Sequence, residues 1–206
     1  MLSRPQDLLK YERRFWGRGR LVAGVDEAGR GPLAGPVVAA ALVLPEGTHI
    51  EGAGDSKKLS GNTREALYKS IISSALSFGV GAASAHEIDQ TNILRATTVA
   101  MQRALEGLAI DECEVVVDGL PVKGLGIKHD AVVGGDAIIH SIGCASIIAK
   151  VTRDRLMVRL SERYPEYGWE RNKGYGTSEH RNAIEKHGLT PHHRLTFGGL
   201  QYDLEL

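Results

Sequence analysis

One stretch, VAGVDEAGRGPLAG from Val22 to Gly35, constrains the fold more than any other. The apolar run LVAGV reads as a strand that delivers two adjacent carboxylates, Asp26 and Glu27, and the cluster Gly29-Arg30-Gly31-Pro32 ends it. Paired acids at a strand end suit a hard divalent cation, which takes oxygen ligands. The glycines leave the adjoining backbone bare, so a phosphate chain fits close to its N–H groups. In a regular strand neighbouring side chains point to opposite faces. Asp26 and Glu27 therefore reach one site only where pairing ends or bulges, which Ala28-Gly29 allows. A strand followed by a solvated acidic turn fits the same residues equally well.

The rest of the chain reads as elements arranged around this strand, placed at 20–27. A second strand, PVVAAALVL at 36–44, follows a short glycine-rich join, so the two are expected as antiparallel neighbours. Upstream, 5–16 reads as a short helix started by Pro5 and ended by Gly17. Downstream, Ser60 opens a helix, 78–85 is a strand, and 92–108 a strong helix. Glu114–Val117 is a strand running into Asp118-Gly119, a strand-to-turn signal. A weaker strand is expected at 125–129, then Gly134-Gly135-Asp136 and a long helix from about Ser141 to Arg163. A further helix spans 178–186, before the loop containing His192-His193-Arg194. The order implies a mixed sheet with helices on its faces, in one domain over 1–206 whose part from about 164 onward is a helical extension.

Asp118 ends a strand as Asp26 does. If those strands are neighbours, both carboxylates rise at one sheet edge, where α/β sheets commonly bind ligands. Asp136 adds a fourth oxygen donor, or serves as an ordinary turn or N-cap aspartate. Crowded carboxylates resist ionising together without a counter-charge, and divalent ions supply it. An all-oxygen set favours Mg²⁺ or Mn²⁺ over zinc. Neither a Ser-His-Asp elbow nor a P-loop occurs.

Formal net charge is zero, against an indiscriminate nucleic-acid binder, but the charge is segregated: basic residues dominate 150–195 and acids dominate 77–118. A local basic surface still binds a phosphate backbone, and a solvated helical face explains the same pattern. On the long helix Ser146, Lys150 and Arg153 share one face, and Ile147, Val151 and Val158 another that should meet the core. Gly143 is expected to loosen the start of that helix. No apolar run approaches a membrane span and the N-terminus lacks a signal-peptide core, so a cytoplasmic chain is expected. Cys113 and Cys144 fit plain core positions. His192-His193-Arg194 lacks partners at ligand spacing and reads as a polar loop cluster.

The segments GVDEAGRGPLAGPVVAAALVL, DSKKLS, VVVDG, GGD, SIIAKVTRD and KGYGT, in that order, resemble the type 2 ribonuclease H family, and in particular ribonuclease HII of bacterial type. The Gly-Arg-Gly turn favours ribonuclease HII over its HIII relative. The resemblance implies a ribonuclease H-like fold and a ribonuclease H-type endonuclease. It implies that Asp26, Glu27, Asp118 and Asp136 are the catalytic acids and metal ligands. It points to Tyr175, working with Gly29, Arg30 and Gly31, as the residue that senses the ribose 2′-OH, the feature that separates RNA from DNA. A tyrosine folded back on the core is the plain alternative.

Ser56, Lys57 and Lys58, with Ser146, Lys150 and Arg153, are the expected contacts to the substrate backbone. The implied substrates are RNA–DNA hybrids and ribonucleotide-containing duplex DNA, cut 5′ of the ribonucleotide to leave 5′-phosphate and 3′-hydroxyl ends. That places the chain in ribonucleotide excision, within DNA replication and repair, as a monomer. Two other readings are open: a non-catalytic hybrid-binding module, and a resolvase of the same fold.

Overall fold

The computed structural model describes residues 7–54, 59–110 and 112–197. In chain order the elements are α1 (Arg13–Trp16), β1 (Leu21–Ala28), β2 (Val37–Val43), α2 (Gly61–Ser74), β3 (Ser77–Ala83), α3 (Ala85–Gln90) and α4 (Ile93–Glu106). Then follow β4 (Cys113–Asp118), β5 (Asp130–Val132), α5 (His140–Arg163), α6 (Trp169–Asn172) and α7 (Ser178–His187).

The five strands form one mixed sheet in the order β3-β2-β1-β4-β5. As the glycine-rich join implied, β1 and β2 are antiparallel; β4 and β5 run parallel to β1. The alternation along β1 sorts residues between two helical layers. Ala23 and Val25 face α4, packing with Ala96, Ala100, Met101 and Ala104. Val22 turns to the opposite face, where α5 lies, and packs with Ile142. Ile147, Ile148 and Val151 of α5 cover Ala40 and Leu42 of β2 on that same face.

Small residues set how closely these layers approach. A side chain at Gly24 would overlap the Ser141 backbone of α5, and side chains at Gly79 and Gly81 would overlap the Ala104 and Ala100 carbonyls of α4. Glycine in a strand interior weakens it, and close backbone approach is the usual reason for keeping it. Gly143 belongs to the same class: a Cβ there would meet the Ala53 and Asp136 carbonyls. It fits the start of α5 closely against those two carbonyls.

The helix starts follow their caps. Ser60 accepts from the Thr63 amide (3.2 Å) and Asn92 from the Arg95 amide (3.0 Å). Ser84 and Glu87 close a capping box that starts α3, a helix the hydrophobic pattern did not announce. The N-cap of α5, Ile139, has no capping side chain, and Glu12 supplies one from α1's approach, accepting from both the amide and hydroxyl of Ser141 at 2.9 Å.

Three expectations shift. The weak strand expected at 125–129 lies at Asp130–Val132, because 119–129 is a looped segment with Gly119, Gly124 and Gly126 at positive φ. The N-terminal helix is confined to Arg13–Trp16 among the described residues, after a turn-rich approach over 8–12. Val158, assigned to the core side of α5, is 39% exposed, since the sheet ends before that turn of the helix. The C-terminal region is helical and has its own core, in which Trp169, Tyr167 and Ile184 pack on Leu33, Ala34 and Met157.

Candidate active site

The last residue of β1 paired to β4 is Val25, opposite Val117. Asp26 and Asp118 are the next residues of two parallel neighbours, so both carboxylates emerge side by side at the carboxyl edge of the sheet. On the other side of β1, pairing with β2 continues without a bulge through Ala28. The release that lets Asp26 and Glu27 share a site is therefore one-sided: the strand is free toward β4 and held toward β2.

Asp26, Glu27 and Asp118 line one cleft of ≈ 390 Å³ with Gly29, Ser146, Lys150 and Tyr175. Burial, and then the neighbouring Glu27, push the Asp26 carboxyl well above its usual range; Ser146 opposes this by hydrogen bonding to it, while Asp118 adds to the rise. Burial likewise raises Glu27, against the opposing pull of Arg30, whose guanidinium lies 3.1 Å away.

The Gly-Gly-Asp segment works on Asp118. Gly134 takes a left-handed conformation (φ 69°) that swings the Gly135 amide onto Asp118 Oδ1 at 2.6 Å. A Cβ on Gly135 would meet the end of the Ile142 side chain at 2.7 Å, so this glycine lets Ile142 pack close to the segment. Asp136 is buried (7% exposed) directly after this amide. It is not among the residues lining the cleft.

Among the described residues no three histidine, cysteine or acidic side chains converge as a finished ligand shell. The donors nevertheless fit a divalent ion: they are all oxygen, and burial beside like charges already disfavours ionised Asp26 and Glu27, which an added cation would relieve.

The Gly29–Pro36 turn is held from beneath by two buried arginines. Arg194 donates to the carbonyls of Gly29, Arg30 (2.8 Å) and Gly35 (3.0 Å). Arg153 donates to those of Ala34 (3.1 Å), Pro36 (2.9 Å) and Lys173 (3.0 Å). This corrects the reading of α5: Arg153 is fully buried and its guanidinium is committed to backbone, so it does not share an open basic face with Lys150. Lys150 does reach the cleft, paired to Asp154 at 2.6 Å. Arg30 and Gly31 are exposed on the outer side of the turn. Ser56, Lys57 and Lys58 lie outside the described residues.

Tyr175 stands in the cleft with 44% of its surface exposed, so it is not folded back on the core. Its segment is fixed on both sides. The Gly174 carbonyl accepts from the Leu33 amide (2.8 Å), and the Tyr175 carbonyl meets His180 Nδ1 at 2.9 Å. Trp169 Nε1 donates to His180 Nε2 (3.0 Å), which leaves Nδ1 as the protonated nitrogen donating to Tyr175. His193 Nδ1 accepts from the Thr190 amide (2.9 Å), so its Nε2–H is directed at His180 Nε2 (3.1 Å). The histidine loop is thus a neutral hydrogen-bonded support for Tyr175. Sequence pattern did not show this role for His180, because its partners lie in a preceding turn, a short helix and a following loop that only the fold gathers around one ring.

Acids at the ends of two parallel strands, an open glycine turn and an exposed tyrosine thus meet at one cleft. Residues 23–199 match the family described as Ribonuclease HII. The chain belongs to that family, and it is a ribonuclease H endonuclease. A Ribonuclease HII from Desulfitobacterium hafniense is 48% identical over 205 residues, covering 99% of this chain and 79% of the relative. The structure of ribonuclease H2 from Pyrococcus horikoshii OT3 superposes with a TM-score of 0.74 at 31% identity, over 87% of this chain and 95% of that one. Bst-RNase HIII in complex with Mn²⁺ shares the fold, with a TM-score of 0.73 at 19% identity over 88% of this chain and 68% of that one. No helix among the described residues is long and apolar enough to cross a membrane.

Proposed function

We propose that this endonuclease uses Asp26, Glu27, Asp118 and Asp136 to hold Mg²⁺ or Mn²⁺, and that it cuts on the 5′ side of a ribonucleotide in an RNA–DNA hybrid or in duplex DNA. The observation that carries this reading is the emergence of Asp26 and Asp118 one residue beyond the Val25–Val117 pair. When bound, a pair of divalent ions supplies Lewis acidity and a water made nucleophilic at neutral pH.

The protein's own part is positional. Asp118 is oriented by the Gly135 amide, and Asp26 by its hydrogen bond with Ser146. Lys150, which lines the same cleft as the acids, would offer its ammonium to a phosphate oxygen of the substrate. The Gly29–Gly31 turn offers bare backbone to a sugar, and Tyr175 offers a ring to stack and a hydroxyl near the 2′-OH. Attack in line with the departing 3′ oxygen leaves a 3′-hydroxyl and a 5′-phosphate.

The test is cleavage of a duplex carrying one ribonucleotide, with Mg²⁺ or Mn²⁺, followed by ligation to identify the ends. Wild type should produce a single cut 5′ of the ribonucleotide, abolished by chelation. Asp26→Asn and Asp118→Asn should bind the duplex and leave it intact. Normal cleavage by either variant would overturn the acid assignment.

A further inference from the structure

The acid cleft continues outward. Arg64, on α2, lines both it and a second cleft of ≈ 370 Å³ between α2 and α5. The second cleft carries Arg64, Arg155, Arg159 and Lys173 against only two acids, Glu65 and Asp154. Both acids are already engaged: Glu65 with Arg155, Asp154 with Lys150 and, at 3.9 Å, with Arg64. Arg159 is exposed and makes no ion pair among the described residues. Here the basic stretch of the sequence gathers into a positive groove that opens on the acids.

Lys173 ties the groove to the site. It is the one non-glycine residue at positive φ (51°) among the described residues. A residue held in that region is strained by about 1–3 kcal/mol and persists where its surroundings fix it. Here they do: its carbonyl accepts from Arg153 (3.0 Å) and its ammonium meets the Glu170 carbonyl. The strained turn sends Lys173 toward the groove and, two residues on, Tyr175 into the acid cleft.

We infer that the α2–α5 groove is a second backbone-binding surface, which holds phosphates of the flanking duplex on one side of the cut. The inference rests on the function proposed above. At about 1.5 Å per residue, Arg159 lies about 13 Å along α5 from Lys150. That is the axial length of roughly four base pairs at about 3.4 Å each. The groove lengthens the grip on one flank and makes binding depend on how far that flank extends.

The experiment measures binding by fluorescence anisotropy without divalent metal, across a salt series, on duplexes with one central ribonucleotide. Arg159→Ala is informative because the side chain is exposed and makes no ion pair among the described residues; Arg159→Lys restores the charge. On a duplex with long flanks, Arg159→Ala should weaken binding several-fold and reduce the slope of log affinity against log salt by about one. Arg159→Lys should recover most of both. Trimming one flank to fewer than about four base pairs should erase the difference between wild type and Arg159→Ala, while trimming the other should preserve it. Equal salt slopes on the long duplex, or a difference that survives both trimmings, would overturn the inference. A wild type that binds but never cuts would instead overturn the functional reading and leave this result standing.

Discussion

Arg153 and Arg194 lie buried beneath one turn, and neither forms an ion pair among the described residues. Burial, and then the charge of Arg153, push the Arg194 guanidinium down to about 9, so it remains charged at neutral pH. Their partners are backbone carbonyls of the Gly29–Pro36 segment and of Lys173. Arginine suits this place because a planar fork with five donors serves several carbonyls at once. The glycine turn beside the acids thus owes its shape to residues far along the chain.

Arg194→Lys tests that dependence. A lysine presents a point charge in place of a fork, so several carbonyls lose their donor. With hydrogen bonds to charged groups contributing about 1.5–3 kcal/mol each, unfolding stability should fall by roughly 2–4 kcal/mol. Thermal and denaturant melts measure this. An unchanged melting temperature would show that the carbonyls find other donors.

Gly29→Ala and Gly31→Ala separate shape from contact. Gly29 sits at φ 93° and a Cβ there would overlap the Arg153 side chain, whereas Gly31 has nothing within 4 Å. Gly29→Ala should reduce stability by about 1–3 kcal/mol and cleavage along with it. Gly31→Ala should leave stability unchanged, so any loss of cleavage there reports on the nucleic acid. Equal melting temperatures for the two variants would contradict the packing described at Gly29.

Tyr175→Ala should severely reduce cleavage of a single embedded ribonucleotide. Tyr175→Phe keeps the ring and should lose only about 0.5–1.5 kcal/mol, the contribution of one hydrogen bond. The two are compared on the single-ribonucleotide duplex and on a long hybrid. Wild-type rates for Tyr175→Ala would remove this residue from the reaction.

The buried histidines give stability a pH dependence. Burial, and next the charge of His180, lower His193 from 6.5 to about 4, and burial with the charge of His49 lowers His140 to about 4. Between those values the unfolded chain binds more protons than the folded one, so protonation favours unfolding. Their contribution is complete above about 6.5 and lost as pH falls toward 4. Denaturant melts across that window should show a declining midpoint, shallower in His193→Gln. A wild-type profile flat over the window would show that neither imidazole is kept neutral by folding.

What the sequence made legible is what short-range pattern encodes. The run into Asp26-Glu27 and the run into Asp118-Gly119 each announce a strand end, and Ser60 and Asn92 announce helix starts, because each signal sits within a few residues. Arg153 shows the complementary limit. Helical period placed it on the face of Ser146 and Lys150, but only the fold brings the Ala34 and Pro36 carbonyls over that face. The strand expected at 125–129 instead forms at Asp130–Val132, because glycines at 119, 124 and 126 turn the chain before it. The support of Tyr175 by His180 and Trp169 joins three segments and leaves no mark in any one of them.

At Gly24 the first strand and α5 touch backbone to backbone, with no side chain between them. Such a contact has no rotamers with which to adjust, so the distance from the acid strand to the helix bearing Ser146 and Lys150 works as a fixed gauge. A bound duplex meets one rigid jaw. Accommodation then falls to parts outside that contact: the exposed ring of Tyr175, the outer side of the Arg30-Gly31 turn, or the nucleic acid itself.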